Sequence, residues 1–328
     1  MNELTLRGSH RDMGRELGAQ MREAGTKLPD LTADQARRTE ALVRSTDRFI
    51  PALLEEIAGI AEGGGYDERA VQFYSLAIGI VPSCTVVAVS GAHTATGRTL
   101  FGRNYDAGPQ WSDFTLYRTY PESGYAHIGC CYDLLVGRED GLNDVGLAIA
   151  VTGVQGKYTD KPGLWDHIPV RAVLEQCESV DEAVELIGAL PHLWTKNFLV
   201  ADRHGGLAAI EAAQQGVAVD RSDSGFGVIA NHFASAALAP FCDEAKIPAN
   251  SRERVETARG WFETHEEQES RIARDELAEL LSTTGQGVRS ELGPEFTTVW
   301  SWVAELGGRQ LLLCDRLPEP EAYRAFEF

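Results

Sequence analysis

From Ser9 to about Gly79 the apolar residues recur at helical spacing, most clearly Ala52, Leu53, Ile57, Ile60 and Ala61, and the glycines at 63–65 close that helix. The first quarter therefore reads as helix. At Pro82 the period changes to short runs rich in Val, Ile, Thr and Tyr, namely CTVVAVSG, RTLFGRN, TLYRTY, AHIGCCY and GLAIAVTG, separated by Gly, Pro and Asp turns. These read as consecutive antiparallel strands. Two amphipathic helices follow, around Ile168–Cys177 and Val180–Leu190, the second with Ser179 as its N-cap. NFLVADRHG, GLAAIEAA, GVAVDR and GFGVIANHF form a second meander, then come helices from Ser251 to about His265 and from Asp275 to Leu281. TTVWSWVAE and RQLLLCD make a last hairpin across Gly307-Gly308. Runs of strands alternating with runs of helices, without single βαβ units, predict an α+β domain with helices on the faces of antiparallel sheets.

The 328 residues are 43% hydrophobic and 24% charged, which excludes a disordered or fibrous chain. No repeat, linker or low-complexity tract divides them. The net charge of −19 repels a phosphate backbone, so a nucleic-acid reader is not expected. Arginine outnumbers lysine 25 to 5. The start has no apolar signal core and no stretch approaches 18 uninterrupted apolar residues, so the expectation is a cytoplasmic protein with no membrane partner. Cys84, Cys130, Cys131, Cys177, Cys242 and Cys314 are scattered without CxxC, CxxH or HExxH spacing, so neither zinc, another metal nor a disulfide framework is indicated.

Cys84 stands where helix gives way to strand, preceded by Pro82-Ser83, and nineteen residues later Gly102-Arg103-Asn104-Tyr105-Asp106 closes an apolar strand. Taken singly, these are an inert buried thiol and a surface ion pair. Taken together, two antiparallel strands joined by the AHTATG turn bring Arg103 and Asp106 back beside Cys84. A neighbouring guanidinium favours the thiolate, and a carboxylate can orient an amine.

These pieces resemble the N-terminal-nucleophile hydrolases, in the branch of acyl-coenzyme A:6-aminopenicillanic acid acyltransferase and, more distantly, choloylglycine hydrolase. The matching segments are Gly8, Ser9 and Gly14, then EEIAGIAEGGG, Cys-Thr of CTVVAV, GRNYD, GLNDVGLAIA, NFLVADRHG with Glu211, VIANHF, and NSRER. The resemblance implies a four-layer αββα sandwich forming one compact domain, with residues 1–83 a helical segment, propeptide or small subunit, and 84–328 the catalytic region. It implies self-cleavage between Ser83 and Cys84, leaving Cys84 as nucleophile and its own α-amine as base. Such an amine has a pKa of about 7.7–8 and needs no histidine.

Under the same resemblance, Arg103 supports the thiolate or substrate, Asp106 positions the amine, and Asn231 donates to the oxyanion. Tyr105 of GRNYD, Arg254 of the S-x-x-R pattern and Thr152 contact substrate. At a helix start Ser251 and Arg254 read equally as an N-cap and a solvated arginine. Choloylglycine hydrolases carry a second asparagine where this chain has AVTGVQG, and Thr152 or a backbone amide stands in for it. Ser83 replaces the glycine found before the nucleophile in many relatives. Asn143 reads as a turn residue, Asn197 as site lining or a cap, and His232 as pointing away from Asn231. The expected activity is hydrolysis of a linear amide, or transfer from acyl-coenzyme A to an amine, through an acyl-thioester and without a cofactor. After cleavage the two fragments form a heterodimer. The contrasting expectation is an uncut, inactive binding module.

Overall fold

Residues 2–8, NELTLRG, alternate polar and apolar side chains and form a strand, β1 (Asn2–Gly8), with Leu6 fully buried. The computed structural model describes all residues except 80–82, 109–112, 133–135, 157–162, 222 and 292–296; Pro82 lies outside the described residues. β1 corrects the reading of 1–83 as purely helical. It pairs in parallel with β4 (Thr115–Pro121), so its partner lies more than a hundred residues away and no local pattern reveals it. The rest of the segment is helical as expected: α1 (His10–Glu23), α2 (Ala33–Phe49), α3 (Pro51–Gly64) and α4 (Glu68–Leu76).

Glycine places α1 against α3. A Cβ on Gly14 would lie 2.0 Å from the Glu56 carbonyl oxygen, and one on Gly18 would lie 2.2 Å from that of Ile60. The two backbones touch, and no side chain fits between them. Gly14→Val is expected to destabilise the protein by about 1–3 kcal/mol through overpacking, read as a lower thermal midpoint; an unchanged midpoint would contradict the close approach.

Two sheets follow. The first runs β1-β4-β5-β6-β7-β8-β9-β10, where β5 is His127–Cys131, β6 Asp140–Asn143, β7 Leu147–Gly153, β8 Lys196–Asp202, β9 Leu207–Ala213 and β10 Gly216–Asp220. All its pairings except β1–β4 are antiparallel. The second runs β11-β2-β3-β12-β13-β14, with β2 at Ser83–Val89, β3 at Leu100–Ala107, β11 at Phe226–Ile229, β12 at Thr297–Glu305, β13 at Gln310–Cys314 and β14 at Arg324–Glu327. It is antiparallel throughout. The short β6 and β14 were not among the strands read from the sequence.

Both faces of each sheet are covered. In β2, Val86 and Ala88 join the core between the sheets, whereas Val87 and Val89 pack under α7 (Ser251–Glu267) and α8 (Arg274–Ser282). In β7, Ala148 and Ala150 face the same inner core, whereas Leu147, Ile149 and Val151 pack on α5 (His167–Gln176) and α6 (Val180–Ala189). With alternate residues buried on opposite sides, the central strands read as continuous apolar runs. The result is an αββα sandwich. Ser179 caps α6 by accepting from the Glu182 N–H, as expected.

Candidate active site

β2 and β3 pair with Cys84 opposite Tyr105 and Val86 opposite Arg103. From there the Arg103 Nη2 donates to the Cys84 Sγ at 2.8 Å and Nη1 to the Asp140 Oδ2 at 2.6 Å. The ring of Tyr105 stacks on Trp300, with centroids 3.7 Å apart, and the guanidinium lies 4.7 Å from the Tyr105 centroid. Arg103 is fully buried, so the reading of a surface ion pair fails. Arg103 and Asp106 do not pair with each other. Asp106 accepts from the Thr298 hydroxyl at 2.6 Å and faces the Arg254 Nη1 at 3.4 Å.

Strand β11 runs antiparallel to β2 with Ile229 opposite Val86, and two further residues of that register bring Asn231 opposite Cys84. The Asn231 Oδ1 accepts from the Cys84 N–H at 3.1 Å, from the Ser83 hydroxyl at 2.7 Å and from the Arg254 Nη2 at 2.8 Å, while its Nδ2 donates to the Gly153 carbonyl at 2.8 Å. Arg254 also donates to the Cys84 carbonyl at 2.7 Å and to the Thr85 hydroxyl. It is buried and belongs to the cluster, so the solvated-arginine reading is set aside. Ser251 is no N-cap either: Asn250 holds that position, and the Ser251 hydroxyl accepts from the Asn231 backbone N–H at 2.9 Å.

The remaining candidates hold this arrangement from behind. Thr152 donates its hydroxyl proton to the Ala230 carbonyl, and Asn197 donates to the carbonyls of Ala230 and His232 at 2.9 and 3.0 Å. His232 turns to the Ser251 hydroxyl at 2.8 Å. Asn143 closes the β6–β7 turn by accepting from the Leu147 N–H and ties that turn to α5 through the Leu174 carbonyl. Arg254 also lines a cleft of about 320 Å³ with Asn250, Glu253 and Arg289, so the guanidinium that bonds the Cys84 carbonyl borders this cleft.

Burial decides the state of the thiol in the uncut chain. It pushes Cys84 up to about 12, against the opposing pull of Arg103, and the carboxylates of Asp106 and Glu139 push the same way. Arg103 pulls towards the thiolate, the direction expected from its position, but desolvation exceeds that pull. Burial likewise raises Asp106, against Arg254 and the Thr298 hydroxyl. Among the described residues no three His, Cys, Asp or Glu side chains converge as metal ligands, and the six cysteines are all unpaired.

The profile of the acyl-coenzyme A:6-aminopenicillanic acid acyl-transferase family matches residues 93–314, about two thirds of the chain. The chain belongs to this family. The matched stretch of this acyltransferase-family chain includes Arg103, Asp106, Asn231 and Arg254 and begins after Cys84. No curated protein matches it by sequence. Among solved structures it is similar to a point variant of conjugated bile acid hydrolase from Clostridium perfringens, at 17% identity and a TM-score of 0.54, covering 75% of this chain and 92% of that one. It is similar to penicillin V acylase from Agrobacterium tumefaciens at 17% identity and 0.51, covering 75% and 86%. The Caenorhabditis elegans ortholog of N-acylethanolamine-hydrolyzing acid amidase matches at 17% identity and 0.50, covering 75% and 100%. The shared architecture is the N-terminal-nucleophile hydrolase fold. Among the described residues no helix is long and apolar enough to cross a membrane.

Sequence reading missed Asp140, Thr298 and Trp300, which hold Arg103, Asp106 and Tyr105. Asp140 carried no signal, since β6, Asp-Gly-Leu-Asn in a charged stretch, has no strand pattern of its own. Thr298 and Trp300 carried none, because β12 reads as an ordinary strand and becomes a site wall only by pairing with β3.

Proposed function

We propose that this chain is a self-processing cysteine amidohydrolase or acyltransferase whose nucleophile is Cys84. The observation that carries the reading is the convergence of Arg103, Asn231 and Arg254 on the sulfur, amide nitrogen and carbonyl of one residue at the start of a strand. In self-cleavage the Cys84 sulfur bonds to the Ser83 carbonyl carbon and the Ser83–Cys84 C–N bond breaks. The thiol proton passes to that nitrogen, and water then hydrolyses the thioester. The freed α-amine titrates near neutral pH and takes the thiol proton in each later turnover. The substrate acyl group moves to the sulfur, the departing amine takes the proton, and water or a second amine resolves the acyl-thioester. Asp106 orients the amine, and the Asn231 Nδ2, which gives one proton to the Gly153 carbonyl, offers its second N–H to the oxyanion. Arg254 and Tyr105 line the acyl path, and Thr152 acts through the Ala230 carbonyl.

The two fragments, of 83 and 245 residues, remain together under this reading. The helices of residues 1–83 share a core with Leu164, Ile168 and Ala172, and Arg171 bridges Glu56 at 2.9 Å and Glu175 at 2.6 Å, with His10 3.0 Å from Glu175. The test presents purified protein with N-acyl amino acids and linear N-acyl amines, and separately with acyl-coenzyme A plus an amine panel. Release of amine or coenzyme A supports the reading; silence on all of them, from protein shown to begin at Cys84, overturns it.

Ser83 holds the uncut state. Its hydroxyl donates to Asn231 and accepts from the Arg254 Nη2 at 3.2 Å, and the scissile bond lies within the regular β2–β3 ladder. At about 0.5–1.5 kcal/mol per hydrogen bond, Ser83→Gly removes both and frees the backbone, so self-cleavage is expected to accelerate about tenfold. Intact mass over time reads it, and slower cleavage would refute this role.

A further inference from the structure

β11 is the outermost strand at one end of its sheet, and β10 is an outermost strand of the other. Beside these edges and α7 lie two clefts of about 360 and 310 Å³ that share Ala209, Asp220, Val228 and Arg259. They make one groove along β11. Val255, Arg259 and Phe262, spaced to share one face of α7, line it together with the small Ala209 of β9 and Ala218 of β10. Asp220 and Arg259, one of each charge, line both clefts, so the groove asks for no net charge in an occupant.

The strand edge in this groove is unmade at one residue. Ser90 donates to the Gly225 carbonyl at 2.8 Å, and the β2–β11 register sets these two residues opposite each other. Bonded and non-bonded pairs alternate in an antiparallel ladder, so residues 225, 227 and 229 bond to β2, whereas 226, 228 and 230 turn their N–H and C=O to the free edge. Phe226 is answered there by the Ser224 hydroxyl, and the Ala230 carbonyl by Thr152 and Asn197. Val228 lines both clefts, and among the described residues nothing bonds its N–H or C=O on that side.

The same groove touches the supports of Asn231. Asn197, 2% exposed, lines it and donates to the carbonyls of Ala230 and His232, which flank Asn231, while its Oδ1 is buried without a partner. His232 lines it too. The buried Ser251 hydroxyl accepts from the Asn231 N–H, and its own proton goes to the His232 Nδ1 at 2.8 Å, the other polar atom bonded to it among the described residues. An occupant therefore presses on the two side chains that fix the Asn231 main chain.

We propose that this groove is a second binding site, apart from Cys84, for an N-acyl amino acid amide that lies along β11 as an added strand, and that its occupant steadies Asn231. The ligand N–H donates to the Val228 carbonyl, and the C=O of the same ligand residue accepts from the Val228 N–H. The apolar walls favour an aliphatic side chain. The binding stands by itself; its effect on Asn231 rests on the reading of Asn231 as the oxyanion donor.

NMR titration of the full, uncut Cys84→Ala chain reads binding without turnover, and the spectrum shows that each variant is folded. N-acetyl-leucine methylamide should bind at least about fivefold more tightly than the ester isostere in which oxygen replaces the leucine N–H, because the ester sets an oxygen against the Val228 carbonyl. Val228→Pro removes the outward N–H without taking a bond from β2, and should weaken the amide at least about fivefold. Ala218→Trp fills the groove and should abolish binding. Equal binding of amide and ester, or amide binding that survives both substitutions, overturns the site. In the cut enzyme, saturating N-acetyl-leucine methylamide should raise kcat for a linear N-acyl amine at least about twofold at constant KM, by strengthening the bonds behind Asn231. Ala218→Trp should keep the basal kcat and lose the rise. An unchanged kcat, or a raised KM alone, overturns the link to Asn231. Ligand binding in a chain that cleaves no amide defeats the catalytic reading alone; amide cleavage without this binding defeats this inference alone.

Discussion

Cys84→Ala is expected to yield one uncut species near 35.8 kDa and no acyl transfer to any acceptor. The side chain supplies the only atom in the proposed scheme that bonds to the acyl carbon, and its removal stops both self-cleavage and turnover at the first step. Because Cys84 is fully buried between the sheets, the change leaves a small cavity and not an exposed defect, at a cost of about 1–2 kcal/mol of stability. The variant should therefore fold, and circular dichroism with intact mass separates loss of chemistry from loss of structure. Fragments of 83 and 245 residues in this variant would show that the cut does not depend on the thiol.

Asn231→Ala is expected to lower kcat by about 100- to 1,000-fold, the effect of deleting one oxyanion donor at roughly 3–4 kcal/mol of barrier. KM for the same amide should change little, since the interaction strengthens only as the carbonyl becomes tetrahedral. The substitution has a second consequence, visible before any substrate is added. The Asn231 Oδ1 gathers the Ser83 hydroxyl, the Cys84 N–H and the Arg254 guanidinium, and alanine leaves these buried donors without that acceptor. A lower thermal midpoint should accompany the kinetic loss. Full kcat in correctly cut Asn231→Ala protein would remove Asn231 from the catalytic scheme.

Much of the site was legible because the relevant strands are neighbours in sequence or carry short motifs. Cys84, Arg103 and Asp106 lie on β2 and β3, joined by one short turn, so antiparallel pairing alone brings them together. Asn231 and Arg254 could be named from the family resemblance, whereas their partners could not. That Arg254 clamps the Cys84 carbonyl across 170 residues, and that Asp140 and not Asp106 answers Arg103, follow from which strands lie side by side.

Hydrophobic period alone specified the helices α1 to α8, most of the strands and the burial of both sheet faces, since these depend on spacing within a few residues. Strand β1 escaped because its stability comes from β4, more than a hundred residues away. The ionisation of Cys84 escaped for a related reason: a guanidinium at 2.8 Å argues for a thiolate, and only the depth of burial, a property of the assembled layers, reverses the sign. Spacing along a chain sets which residues can meet, whereas desolvation and the pairing of buried charges depend on everything packed around them.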